Sequence, residues 1–147
     1  MDMIAKASCS FVIYSMRANA TLLRLIESLA VHCPELNPEI CIQQDQLKDR
    51  LQTHKWSVCT VIMVAHDRTD MEAITPLEPL LEGLPIIFIL PDSRPETIAA
   101  AHRFRPRFLT YKDADFMDII RVVEKIVSYR NEAISGQHAS VQEGIPD

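Results

Sequence analysis

Glycine is scarce: Gly83, Gly136 and Gly144 are the only three in 147 residues. Loops that cradle a dinucleotide or a phosphate need several glycines for tight turns and close backbone approach, so a GxGxxG loop and a P-loop are both excluded. Long hydrophobic runs are missing too. The longest, Leu84 to Pro91, is the length of a strand and far short of the ~18 residues of a membrane span. Met1 to Ser10 has one lysine and no extended apolar stretch, so no signal peptide is visible and the chain reads as cytoplasmic, without a membrane partner. Excess positive charge is absent: 15 Lys and Arg stand against 20 Asp and Glu, a formal charge of -5, which argues against a nucleic-acid partner. The four cysteines (Cys9, Cys33, Cys41 and Cys59) show no CxxC or CxH spacing. They read as small buried thiols in a reducing compartment, with a zinc site or a disulfide as the alternatives. No metal and no cofactor is expected.

What is present is a globular composition, 48% hydrophobic and 24% charged, in a chain sized for one domain. Short apolar runs recur along it: Cys9–Tyr14, Glu39–Gln43, Val58–Ala65, Leu84–Leu90 and Arg107–Tyr111. Each reads as a buried parallel strand. Helical patterns separate them. Leu22, Leu25, Ile26 and Leu29 follow Asn19 as a cap, and Cys33-Pro34 stops that helix. Gln44 to His54 carries Leu47 and Leu51. His66 to Ile74 is polar and reads as a loop with at most a turn of helix. Thr75-Pro-Leu-Glu78 and Ser93-Arg-Pro-Glu96 fit capping boxes, the first opening a short helix ended by Gly83, the second a helix to about Arg103. Asp113 is placed to cap the longest helix, striped by Phe116, Ile119, Ile120, Val123, Ile126 and Val127. From about Asn131 the pattern stops. The expectation is a domain over residues 1–130 and a flexible tail over 131–147.

Five strands alternating with five helices imply an α/β, doubly wound, flavodoxin-like three-layer sandwich around a five-stranded parallel sheet. Function in such sheets sits at the carboxyl ends of the strands. That directs attention to Ser15-Met16-Arg17, Gln43-Gln44, His66-Asp67-Arg68, Pro91-Asp92 and Lys112-Asp113.

Over about residues 8–130 the pattern resembles the receiver domain of two-component response regulators. The resemblance rests on the hydrophobic third strand, on Leu84-Pro-Ile-Ile-Phe-Ile-Leu90, on the alanine-rich Ile98-Ala-Ala-Ala101 and on Arg107-Phe-Leu-Thr-Tyr-Lys112. It implies a phosphorelay chemistry that needs two acids after the first strand, a phosphoacceptor aspartate ending the third, a hydroxyl after the fourth and a lysine after the fifth, because a hard cation requires several carboxylate oxygens. Here Ser15, Met16 and Arg17 replace the acidic pair. Ala65 falls at the phosphoacceptor position with Asp67 two residues late, Leu90 or Pro91 falls at the hydroxyl position with Ser93 beyond, and Lys112 is about one residue late. The reading is therefore a pseudo-receiver, a regulatory module of two-component signalling that acts by protein–protein interaction and is not an enzyme. Its crevice is assigned to Arg17, Asp67, Asp92, Ser93 and Lys112, with an Arg17–Asp67 ion pair set against independently solvated loop residues.

Two alternatives accompany it. One is an atypical receiver phosphorylated on Asp67 with Lys112 and Ser93 assisting. The other is a flavodoxin-like small-ligand binder using the crevice around Asp67, Asp92 and Arg17. His66-Asp67 is not expected to form a metal or catalytic pair, because neighbours at a strand end point apart. The alternating Arg103, Phe104, Arg105, Arg107 segment, with Tyr111 beyond, is assigned to a partner or homodimer face formed by the fourth helix, fifth strand and fifth helix. A solvated basic turn is the other reading of those arginines. Trp56 is expected at the end of the sheet away from the crevice.

Overall fold

The structure, a computed structural model, describes residues 10–139, with side chains through residue 129. Its elements run β1 (Ser10–Ser15), α1 (Ala20–His32), β2 (Glu39–Cys41), α2 (Gln44–His54), β3 (Val58–Val64), α3 (Arg68–Ile74), β4 (Ile86–Leu90), α4 (Pro95–His102), β5 (Phe108–Tyr111) and α5 (Met117–Ala139). All four strand pairings are parallel and the order across the sheet is β2-β1-β3-β4-β5. This is the expected doubly wound order with one switch point, between β1 and β3.

Alternation along the strands builds two cores. Phe11, Ile13, Ile62, Val64, Ile87 and Ile89 face α1 and α5, meeting Leu22, Leu25 and Leu29 on one helix and Ile119, Ile120 and Val123 on the other. Val12, Tyr14, Val61, Met63, Ile86, Phe88 and Leu90 face the opposite layer of Leu47, Leu51, Met71, Ile74, Leu77 and Leu81. Every residue of β3 and β4 is buried, which is why those strands read as unbroken apolar runs rather than alternating ones. At the β2 edge, Arg50 grips Glu39 with two hydrogen bonds of 2.6 and 3.1 Å and ties α2 to the sheet. That pairing holds the Glu39 carboxyl below its usual range. Cys33 and Cys41 are buried thiols. Burial and the hydrogen bond to Glu124 push Cys33 up to about 11, so it is no nucleophile near neutrality. Cys9 lies outside the described residues.

Several local expectations are corrected. His66 to Ile74 is not mainly loop: Asp67 caps α3, its Oδ1 accepting the Asp70 N–H at 2.9 Å. Thr75 opens no capping box. Its hydroxyl donates back to the Met71 carbonyl at 2.9 Å, and Thr75–Leu81 winds as a 3₁₀ helix containing two prolines that an α-helix interior would reject. Gly83, at φ +88, ends that segment as expected. Ser93 does not cap α4 either. The cap position is Arg94, with Pro95 at the first helical residue. At the last helix Asp115, not Asp113, accepts the Met117 N–H, and Phe116 takes a left-handed φ of 66. Phe116 is held there by burial and by the Arg24 guanidinium, 4.6 Å from its ring centroid. The helix runs past Asn131, where the stripe ends, to Ala139. The rest of the expected tail lies outside the described residues. Among the described residues no helix is long and apolar enough to cross a membrane.

Candidate functional site

At the carboxyl ends of the strands the chain builds a fixed ion-pair network. Ser15 closes β1 fully buried and donates its hydroxyl to the Arg17 carbonyl at 2.7 Å. Asn19 then does three things at once. Its Oδ1 accepts the Leu22 N–H to cap α1 at 2.9 Å, and its Nδ2 lies 3.2 Å from both the Ser15 hydroxyl and the Arg17 carbonyl. The β1–α1 turn is thereby held, and it aims the Arg17 side chain across to the end of β3.

There the guanidinium meets Asp70, Nη2 to Oδ1 at 2.9 Å, while Asp67 Oδ2 stands further off at 3.6 Å. Of the two readings of Arg17 and Asp67, the structure has the ion pair rather than independent solvation, but Asp70 is the principal partner. Asp70 is completely buried, whereas Arg17 and Asp67 are about half exposed, at 54% and 47%. A buried carboxylate needs both oxygens satisfied. Asp70 achieves this with Arg17 on Oδ1 and the His66 backbone N–H on Oδ2 at 2.8 Å. The hydrogen bond to Asp70, more than the two carboxylate charges, raises Arg17 above its already high pKa.

His66 and Asp67 diverge as expected. The His66 ring pairs through Nδ1 with the Thr21 hydroxyl at 2.9 Å, and its carbonyl accepts the Lys112 ammonium at 3.0 Å. Lys112 thus reaches the end of β3 from the end of β5 despite its late register. Arg24 holds the Lys112 and Ala114 carbonyls. Asp92 and Ser93 stay outside this network. Asp92 accepts the Arg94 N–H of its own turn at 3.0 Å, and Ser93 is exposed.

Beneath the network lies Tyr14, whose hydroxyl meets the Met16 sulfur at 3.2 Å. Burial first, then the Asp70 charge, push its pKa up to about 12 from 10.0. Because the folded value lies above the unfolded one, the stability linked to this group is intact below pH 10 and is lost as pH rises through 12. Alkaline difference spectroscopy is expected to show one tyrosine ionising near 12. A profile in which every tyrosine titrates near 10 would refute the burial of Tyr14 beside a charged Asp70.

The basic segment divides. Arg103, Arg105 and Arg107 are exposed at the amino-terminal end of β5, the pole away from the crevice. Phe104 is core, its ring in an edge contact with Phe88 at 5.3 Å. Tyr111 is half-buried at the opposite end of β5. Trp56 does lie at the pole away from the crevice, but 67% exposed, with Lys55 over its ring. Asp70, Asn19 and Thr21 are the site residues that strand-end logic passed over. The available signal for Asp70 was Asp67-x-x-Asp70, a cap followed three residues later by an acid, with Met71 and Ile74 at helical spacing.

No protein-family model and no curated protein matches the chain. Solved structures do. The signal receiver domain of an HD domain-containing protein from Pseudomonas fluorescens aligns at TM-score 0.62 and 14% identity, over 85% of this chain and 98% of that one. The fold is that of a receiver domain. A response regulator from Burkholderia pseudomallei, with a phosphorylated aspartic acid and a calcium ion, aligns at 0.55 and 12% identity, over 92% of this chain and 75% of that one. A pilus assembly-related protein from the same species aligns at 0.59 and 15%, over 83% of this chain and 91% of that one. At such identities the receiver likeness is one of fold, and the chemistry at the strand ends is read from this chain's own side chains.

Proposed function

We propose that this receiver-fold chain is a regulatory module of a signalling system whose phosphorylation site has been replaced by an internal ion-pair network, and that it acts by binding another protein rather than by catalysis. The observation that carries the reading is Arg17. Its guanidinium contacts Asp70 at 2.9 Å and Asp67 at 3.6 Å, at the strand end where the resemblance to receivers would place a cation. A divalent cation needs several free carboxylate oxygens. Both oxygens of Asp70 and Oδ1 of Asp67 already have donors, and among the described residues no three metal-ligating side chains converge. Ala65 stands where the phosphoacceptor is expected, and Lys112 is engaged with a backbone carbonyl.

Regulation through phosphate requires a ligand that distinguishes two states by differential contacts. With the cation position held by a side chain, one conformation is favoured permanently, and control passes to whether a protein partner is present. The receiver fold of the neighbours, by their names one a signal receiver domain and one a response regulator, supports a regulatory role.

The test is amide NMR of the whole chain during addition of Mg²⁺ and then of beryllofluoride, a phosphoryl mimic. No saturable shift is expected at Asp67, Ser93 or Lys112. Saturable shifts at those three would instead establish an atypical receiver using Asp67.

A further inference from the structure

At the pole away from the crevice, the starts of β3, β4 and β5 and the middle of α5 line an open cavity of about 590 Å³. That lies inside the roughly 300–1,000 Å³ range of small-ligand sites. Its walls are apolar where Pro85, Val122 and Ile126 line it, and Tyr129, 73% exposed, lines it from one turn further along α5. Its charged lining residues are both cations, Arg107 from the turn before β5 and Lys125 from α5. Both are exposed, and neither is in an ion pair among the described residues. In a chain of net charge -5 this is a local inversion of sign, whereas Arg103 and Arg105 line a separate depression beside Glu78 and Glu82.

An apolar cavity whose two cationic lining residues have no ion-pair partner among the described residues is complementary to one kind of small molecule. The apolar body of such a ligand gains from leaving water. Its anionic end gains from charge-assisted hydrogen bonds, which an arginine can make to both oxygens of a carboxylate. We infer that this cavity binds a small anionic amphiphile, an acyl or aryl carboxylate, with its apolar part against Pro85, Val122 and Ile126 and its carboxylate paired with Arg107 and Lys125. The inference does not rest on the reading of the crevice, since Arg17, Asp67 and Asp70 lie at the other end of the sheet. It also gives Arg107 a function that Phe104, buried in the core, does not share.

The experiment is amide NMR on the whole chain with decanoate below its micelle concentration, repeated with decanol and with decyltrimethylammonium. Decanoate is expected to give saturable shifts at Arg107, Val122, Ile126 and Tyr129 and none at Asp67 or Lys112. Decanol should bind about tenfold more weakly, as the loss of a charge-assisted contact implies, and the cationic analogue more weakly still. The double variant Arg107→Glu/Lys125→Glu, at two exposed positions, should lose the preference for the acid while still binding the alcohol. Val122→Trp, which fills the cavity and keeps both charges, should bind neither.

Equal affinity for acid and alcohol would overturn the proposal, as would decanoate shifts that survive the charge reversal or the filled cavity. Binding seen only with vesicles of anionic phospholipid, and never with monomeric decanoate, would overturn it in favour of a bilayer surface.

Discussion

Phe104→Ala is expected to lower the unfolding free energy by about 3–5 kcal/mol, the range for deleting a buried phenylalanine ring. Phe104 sits among arginines, in His102-Arg-Phe-Arg-Pro-Arg107, and from sequence it passes for a surface contact. The chain makes it core by the way α4 unwinds. The Phe104 N–H bonds the Ala101 carbonyl and the Arg105 N–H bonds the His102 carbonyl, winding the end of α4 into a tight turn. Arg105 then turns left-handed at φ 52 and sends the chain back toward β5. The phenyl ring packs edge-on against Phe88, its centroid 5.3 Å away with the planes at 74°. Urea unfolding followed by circular dichroism measures the loss. Arg103→Ala, exposed in the same turn, is the control and should stay within about 0.5 kcal/mol. If Phe104→Ala kept full stability and only weakened an association, the residue would belong to a partner surface after all.

The second large effect is expected at Asp70. Asp70→Ala removes the acceptor of the buried His66 N–H and the main partner of Arg17, and a stranded buried donor costs roughly 1–3 kcal/mol. The expected loss is about 2–3 kcal/mol by chemical denaturation. Asp70→Asn keeps an oxygen for the His66 amide and removes only the charge, so its loss should be about half as large. It should also move the Tyr14 ionisation down from about 12 toward 10.0, because the Asp70 charge is the second cause of that shift. A merely structural role for Asp70 would leave the tyrosine titration where it is. Arg17→Ala reverses the problem, leaving a buried carboxylate with one backbone donor, and is expected to destabilise as well.

The layered fold was legible because buried parallel strands are written as short unbroken apolar runs. Val58–Val64 and Ile86–Leu90 carry that signal cleanly. The helix over Gln44–His54 was legible from Leu47 and Leu51 alone. What local pattern did not carry was chemistry decided by neighbours distant in sequence. Asp70 looks like a solvated loop acid until Arg17, 53 positions earlier, arrives to pair with it. Phe116 adopts a backbone conformation that disfavours bulky residues, and only its buried seat under Arg24 explains it. The capping boxes at Thr75 and Ser93 matched their motifs, yet the prolines within them set other turns. Of the crevice set, Arg17, Asp67 and Lys112 do converge on the end of β3, while Asp92 serves its own turn and Ser93 stays exposed.

The order of the sheet also governs how the chain must fold. β1 finds its two neighbours only after long excursions, with Val12 facing Glu39 on one side and Val61 on the other. No pair of strands can close as a hairpin, and β2, at three residues, is too short to act as a template alone. Each pairing therefore closes a long loop before any burial compensates it, which places the chain among the slower-folding topologies for its size. During synthesis Phe11–Tyr14 lacks its longer partner strand until β3 has left the ribosome, an interval in which that side of β1 is open to aggregation.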